Sequence, residues 1–292
     1  MTNNGLNIKD LENLSGIKAH TIRIWEKRYN ILEPKRTKTN IRYYDNQDLI
    51  KLLNITSILD NGMRISKVST LTIEEINQQV LEIKSENIDG AKKIIINELL
   101  GATLKCDAIS FETTFISYRA QHGFEATIED ILYPLLIRIG LMWTVSKLNP
   151  SQEHFASQLI KQKLFSAINE LPLVATQRKF LLYLPEKEDH EIGLLYAYYL
   201  IKKAGYQTIY LGPNVPLVDV IECAKNSEAT EILCSFTIPH SEDKITRYID
   251  KMLNKLSFSN VLLHNAKLQD KKGDYASKAV FLNSLEDLRN LL

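Results

Sequence analysis

Three groups of side chains in this sequence could do chemistry. In the run KFLLYLPEKEDHEIG an apolar stretch opens into a charged loop carrying Glu188, His190 and Gly193, which would offer an imidazole to a ligand. A single histidine in a charged loop is usually solvated, so the loop alone leaves its role open. Further back, Trp143 ends an apolar helical stretch and Asn149-Pro150 begins the next, with Asn as N-cap and Pro in the first helical position. Glu153 and His154 then fall in the first turn, across a short loop from the indole. The ordinary account is that Trp143 fills core, Glu153 favours the positive helix terminus and His154 is incidental. The third group is basic: Lys35, Arg36, Lys38 and Arg42, interleaved with Tyr43 and Tyr44, suit contact with a phosphate backbone.

The elements around the basic group read as a helix-turn-helix with a wing. A first helix over residues 7–17 carries Ile8, Leu11 and Leu14, and Ser15-Gly16 supplies the turn. A second runs from about His20 to Tyr29, with Ile22 and Trp25 inward and Arg23, Lys27 and Arg28 outward. Such a helix can enter the major groove while the first braces it. Residues 1–72 hold 12 Lys and Arg against 7 Asp and Glu, so the head is basic although the whole chain is only +1. A basic head on a mildly acidic body suits a nucleic-acid-binding module joined to a separate sensing part.

The run TIRIWEKRYNILEPKRTKTNIRYYD closely resembles the winged helix-turn-helix of MerR-type regulators. That resemblance implies that Arg23, Lys27 and Arg28 lie at double-stranded operator DNA and that Arg42 and Tyr44 hold backbone phosphates. Asn40 stands where the family usually has Gly; Asn tolerates the left-handed conformation, so the wing turn is expected to survive. Residues 45–72 complete this domain, taken as 1–75.

Beyond it, apolar residues recur at helical spacing, predicting helices over 73–84, 88–102, 108–121, 128–143 and 152–171 and a four-helix bundle over 76–175. From Lys179 the pattern alternates short apolar runs with amphipathic helices. Strands near 179–184, 207–211, 231–236, 260–264 and 278–282 predict a flavodoxin-like, doubly wound parallel sheet over 176–292. The fold class is therefore multidomain α and α/β. Ligands of such sheets bind beyond the carboxyl ends of the strands, where the His190 loop falls.

The spacing Trp-x9-Glu-His resembles the cap over the upper face of adenosylcobalamin in the CarH/LitR-like branch of the MerR-type regulators, and Trp143, Glu153 and His154 map onto it. Glu188-x-His190-x-x-Gly193 is similar to the D/E-x-H-x-x-G signature of cobalamin-binding domains. By that resemblance His190 is the lower axial ligand of cobalt, with the carboxylate behind it fixing the imidazole tautomer, and Gly193 lets the cofactor approach the backbone. Ser235-Phe236-Thr237 matches the next motif, with 41 residues between Gly193 and Ser235, and its hydroxyls would line the slot for the nucleotide tail.

Two positions depart from the family. Thr144 stands where light-sensing members carry a histidine that captures cobalt after photolysis, and His264-Asn265-Ala266 replaces a Gly-Gly. The resemblance implies a repressor that senses adenosylcobalamin, as a light receptor, through a homo-oligomer (dimer or tetramer) on its operator. The alternatives are a cobalamin-independent MerR-type regulator using the last domain for oligomerisation or protein interaction and, more remotely, a corrinoid-dependent enzyme subunit.

Other features set bounds. The sequence shows no Gly-rich phosphate loop, zinc spacing or nucleophile–base pattern, which argues against a generic enzyme. His20, His122 and His240 have no partner that spacing identifies. No apolar run approaches the roughly 20 residues that span a bilayer. Cys106, Cys223 and Cys234 form neither an even disulfide set nor metal spacing. A cytoplasmic, reduced protein without a membrane partner is expected.

Overall fold

The computed structural model describes residues 6–37, 40–60, 62–85, 90–144, 148–237, 242–256, 259–264, 275 and 279–292. Lys38, His240, Asn265 and Ala266 lie outside the described residues, as do the side chains of Leu14 and Thr144. The chain divides into two compact units, Met1–Gln158 and Leu159–Leu292.

The first unit opens with helices α1 (Ile8–Ser15) and α2 (Ala19–Tyr29), then the two-stranded wing β1 (Lys35–Arg36) and β2 (Arg42–Tyr43). Asn7 caps α1 in a reciprocal capping box with Asp10, and Gly16 ends it at φ 76°, which makes the turn a left-handed one suited to glycine. Helices α3 (Asn46–Asp60) and α4 (Ile65–Val68) close the head over a core of Leu11, Ile22, Ile31, Leu32, Tyr44, Leu52, Ile55 and Ile58.

Next come α5 (Ile73–Ser85), α6 (Gly90–Lys105), α7 (Ala108–His122), α8 (Phe124–Thr127), a π-helical turn (Ile128–Leu132), α9 (Tyr133–Thr144) and α10 (Pro150–Glu170), the last running across the divide between the units. The buried face of α7 is Phe111, Phe115 and Tyr118, while Ile109 and Ile116 face outward. The single helix expected over 128–143 is interrupted at its start. Pro134 has no N–H to close a helical bond there, and the turn before it widens.

The second unit is a parallel sheet of β3 (Lys179–Pro185), β4 (Gln207–Val215), β5 (Glu231–Ser235), β6 (Asn260–His264) and β7 (Ala279–Leu282), in the order β4-β3-β5-β6-β7. That order is the flavodoxin-like one, whose direction reverses between β3 and β5. Helices α11 (Ile192–Lys203), α12 (Leu217–Ser227), α13 (Glu242–Lys255) and α14 (Leu285–Leu291) connect and flank it. Period-2 alternation splits β3 between two cores. Leu181 and Tyr183 pack with Val220, Ile245, Ile249 and Met252, while Phe180, Leu182 and Leu184 are buried on the other face. Cys234 is wholly buried, and burial pushes its thiol up to about 12, so it is an inert core residue.

Candidate functional site: a buried carboxylate behind an exposed histidine, and a basic head

The His190 loop sits where β3 ends, at the reversal point of the sheet. The loop offers Glu186, Glu188, Asp189 and Glu191, and the structure selects Glu188. Its side chain is 1% exposed, and its Oε1 lies 3.0 Å from His190 Nδ1. The same oxygen accepts from His190 N–H at 3.3 Å, and Oε2 accepts from Thr237 N–H at 2.8 Å. Glu188 is itself pinned through its main chain: its N–H donates to Pro185 O and its carbonyl accepts from Asn214 N–H. Asn214 Oδ1 in turn accepts from Lys187 N–H at 2.8 Å. Glu191 is committed elsewhere, to Lys161 Nζ at 2.8 Å and to the Tyr210 hydroxyl at 2.9 Å.

The His190 side chain, by contrast, is 70% exposed. With Nδ1–H directed at the carboxylate, Nε2 carries the lone pair and faces away from it. That is the tautomer a metal requires, held by an outer carboxylate.

Gly193 lies in the first turn of α11, yet among the described residues a methyl group built on it would meet no heavy atom within 4 Å, and its φ is not positive. The fold makes no demand for glycine there. Gly193→Ala is accordingly expected to stabilise the apo chain by about 0.5 kcal/mol in a thermal melt, and to weaken any ligand that uses the open space.

Ser235 and Thr237 both have partners within the chain. Thr237 contributes its main-chain N–H to Glu188, and the residue is otherwise exposed. Ser235 is buried, and its hydroxyl is 2.9 Å from Nδ1 of His264, directly across the β5–β6 pairing. Desolvation holds His264 below the usual imidazole range.

In the first unit, Asn149 caps α10, accepting from Gln152 N–H, with Pro150 in the first helical position as the sequence indicates. Glu153 Oε2 and His154 Nδ1 lie 2.9 Å apart in that first turn. Trp143, at the end of α9, is 46% exposed, so it does not fill core.

The head presents Arg23, Lys27 and Arg28 on the exposed face of α2, and Lys35, Arg36 and Arg42 on the wing. Lys35 is paired with Asp45 at 2.9 Å. Asn40 adopts φ 65°, the left-handed conformation expected of it, and its Oδ1 accepts from Arg36. Tyr44 requires a correction. It is fully buried, joined to Leu6 through the main chain, and its hydroxyl donates to Glu26 on α2. It cannot hold a phosphate. Burial and the adjacent Glu26 carboxylate raise its pKa, so it stays a donor. Arg42 Nε also approaches Glu26, at 3.5 Å. Among the described residues no helix is long and apolar enough to cross a membrane.

Residues 6–74 match the MerR HTH family of regulatory proteins. The HTH-type transcriptional regulator GlnR of Bacillus cereus is 33% identical over 97 residues, 32% of this chain and 72% of that protein. The chain belongs to the MerR family. This MerR chain also matches the B12 binding domain over residues 95–166, which takes in Trp143, Glu153 and His154. The HTH-type transcriptional repressor CarH of Myxococcus xanthus is 27% identical over 242 residues, 80% of this chain and 81% of that protein. A corrinoid protein for monomethylamine from Methanosarcina barkeri shares the fold, with TM-score 0.53 and 13% identity over 68% of this chain and 97% of that one. The protein is therefore a helix-turn-helix transcription regulator that carries a B12-binding domain.

The residues of the second unit fit a corrinoid. Among the described residues no group of three or more His, Cys, Asp or Glu could enclose a metal ion. A corrin brings its own ring nitrogens and needs one imidazole from the protein, which an exposed side chain such as His190 could offer. Sequence reasoning missed three participants: Glu26, Asn214 and the His264 ring as a partner of Ser235. Each acts through a contact across the fold, for which local spacing gives no signal.

Proposed function

We propose that this MerR-family chain is a transcriptional repressor whose C-terminal half senses adenosylcobalamin, as a light receptor controlling oligomerisation and operator binding. One observation carries the reading: a fully buried carboxylate, Glu188, fixes an exposed imidazole, His190, with Nε2 turned away from it. Adenosylcobalamin supplies a light-labile cobalt–carbon bond. His190 would hold the cobalt from below, Glu188 would keep its tautomer, and Trp143 with Glu153 and His154 would cover the upper face. Arg23, Lys27, Arg28, Lys35, Arg36 and Arg42 would grip operator DNA, and several linked heads would bind more tightly than one.

The Ser235–His264 contact favours a second reading, a cobalamin-independent regulator whose slot is filled by its own side chain. An absorption spectrum separates the two. Chain purified with adenosylcobalamin in darkness is expected to retain a corrin spectrum after desalting and to change it under green light, with parallel changes in gel-filtration volume and operator binding. His190→Ala is expected to lose the spectrum. No retained corrin in the wild type would sink the sensor and leave the second reading.

A further inference from the structure

The reversal point between β3 and β5 is also where His264 is spent. Glu188 follows β3, Ser235 ends β5, and Thr237, two residues on, returns its N–H to Glu188 at 2.8 Å. A ligand anchored on His190 would therefore approach the strand end that carries Ser235. Once an imidazole displaces a corrinoid's own base, the nucleotide tail must be stowed on that same side. In this chain the buried Ser235 hydroxyl already has a partner: His264 Nδ1 at 2.9 Å, from the directly opposed residue of β6. His264 itself is exposed at the end of β6, and partial desolvation of its ring holds its pKa below the usual range. A tail entering here has to break that contact and move the ring, whereas a corrin ring without a tail does neither.

Resting on the cofactor reading above, we propose that the Ser235–His264 pair is a selectivity latch that sets this chain against the nucleotide tail of a corrinoid and in favour of the tail-less ring. The backbone does not depend on the imidazole: Phe236 N–H donates to the carbonyl of residue 264, which every substitution keeps.

The test is a titration of the full chain, in darkness, with adenosylcobalamin and separately with adenosylcobinamide. The wild type is expected to bind the cobinamide more tightly. His264→Gly is expected to lower the Kd for adenosylcobalamin by up to about tenfold, the worth of one part-buried hydrogen bond, and to leave the cobinamide Kd unchanged. His264→Ser, which keeps a strand-compatible side chain, should move in the same direction if the glycine variant folds poorly. Equal shifts for both ligands, or weaker cobalamin binding in the variants, would overturn the latch while leaving the cofactor reading intact. Binding of neither ligand to any variant would remove the cofactor reading, and the latch with it.

Discussion

Glu188→Gln is expected to lower corrinoid affinity about 10- to 100-fold although the substitution changes almost no volume. The carboxylate uses both oxygens, one for the His190 ring and main-chain N–H and one for the Thr237 N–H. An amide has a single oxygen. If it faces Thr237, the NH2 group faces both Nδ1 and the His190 main-chain N–H, so two donors already oppose each other and the imidazole must move its proton to Nε2, which removes the lone pair a metal needs. If it faces His190, two N–H donors oppose each other in a site from which water is excluded. That conflict costs about 1–3 kcal/mol, and a 100-fold affinity loss is about 2.7 kcal/mol. Because the two are equal in size, affinity alone does not separate a lost ligand from a strained loop. The corrin absorption spectrum does: the variant should bind with the spectrum of a cobalt that has lost its imidazole. A Glu188→Gln chain with wild-type affinity and spectrum would show that the carboxylate does not hold the tautomer.

The strands were legible because each is a short apolar run bounded by polar residues, as in KFLLYL and NVLLH. β4 shows the limit of that signal. The pattern predicts its end at residue 211, but the strand runs through Gly212 and Pro213 to Val215. A proline would stop an interior strand. β4 is at the edge of the sheet, where one side of the backbone has no neighbour and a missing N–H is tolerated. Sheet order, which sequence periodicity does not encode, decides the outcome. The site divides the same way. His190 and Glu188 lie two residues apart, so local spacing could pair them. Ser235 and His264 lie 29 residues apart and meet only because β5 and β6 are neighbours in register. Trp143 shows that composition alone would mislead: an indole ending an apolar helix ordinarily packs inside, whereas this one is exposed.

Tyr44→Phe is expected to weaken operator binding although its hydroxyl never meets DNA. Glu26 is on α2, the proposed recognition helix, and accepts from the Tyr44 hydroxyl at the end of the wing while Arg42 approaches its other oxygen. This carboxylate, with its side chain only 8% exposed, ties α2 to the wing strand that carries Arg42, and so would fix the angle between the helix proposed to read the groove and the cations proposed to meet phosphate. Deleting the hydroxyl leaves Glu26 short of a donor, at a cost of about 1–2 kcal/mol in head stability. The affinity loss has the same ceiling, about 30-fold. Salt dependence distinguishes this from a lost phosphate contact. Each cation that neutralises a phosphate adds about 0.9 to the slope of log K against log salt, so Arg23→Ala or Lys27→Ala should flatten the slope by about 1. Tyr44→Phe should lower affinity at every salt concentration and leave the slope unchanged, measured on any duplex the wild type binds. A flattened slope in Tyr44→Phe would mean that the tyrosine, or Arg42 through it, reaches phosphate after all. An unchanged affinity would mean that Arg42 alone suffices to seat the wing on Glu26.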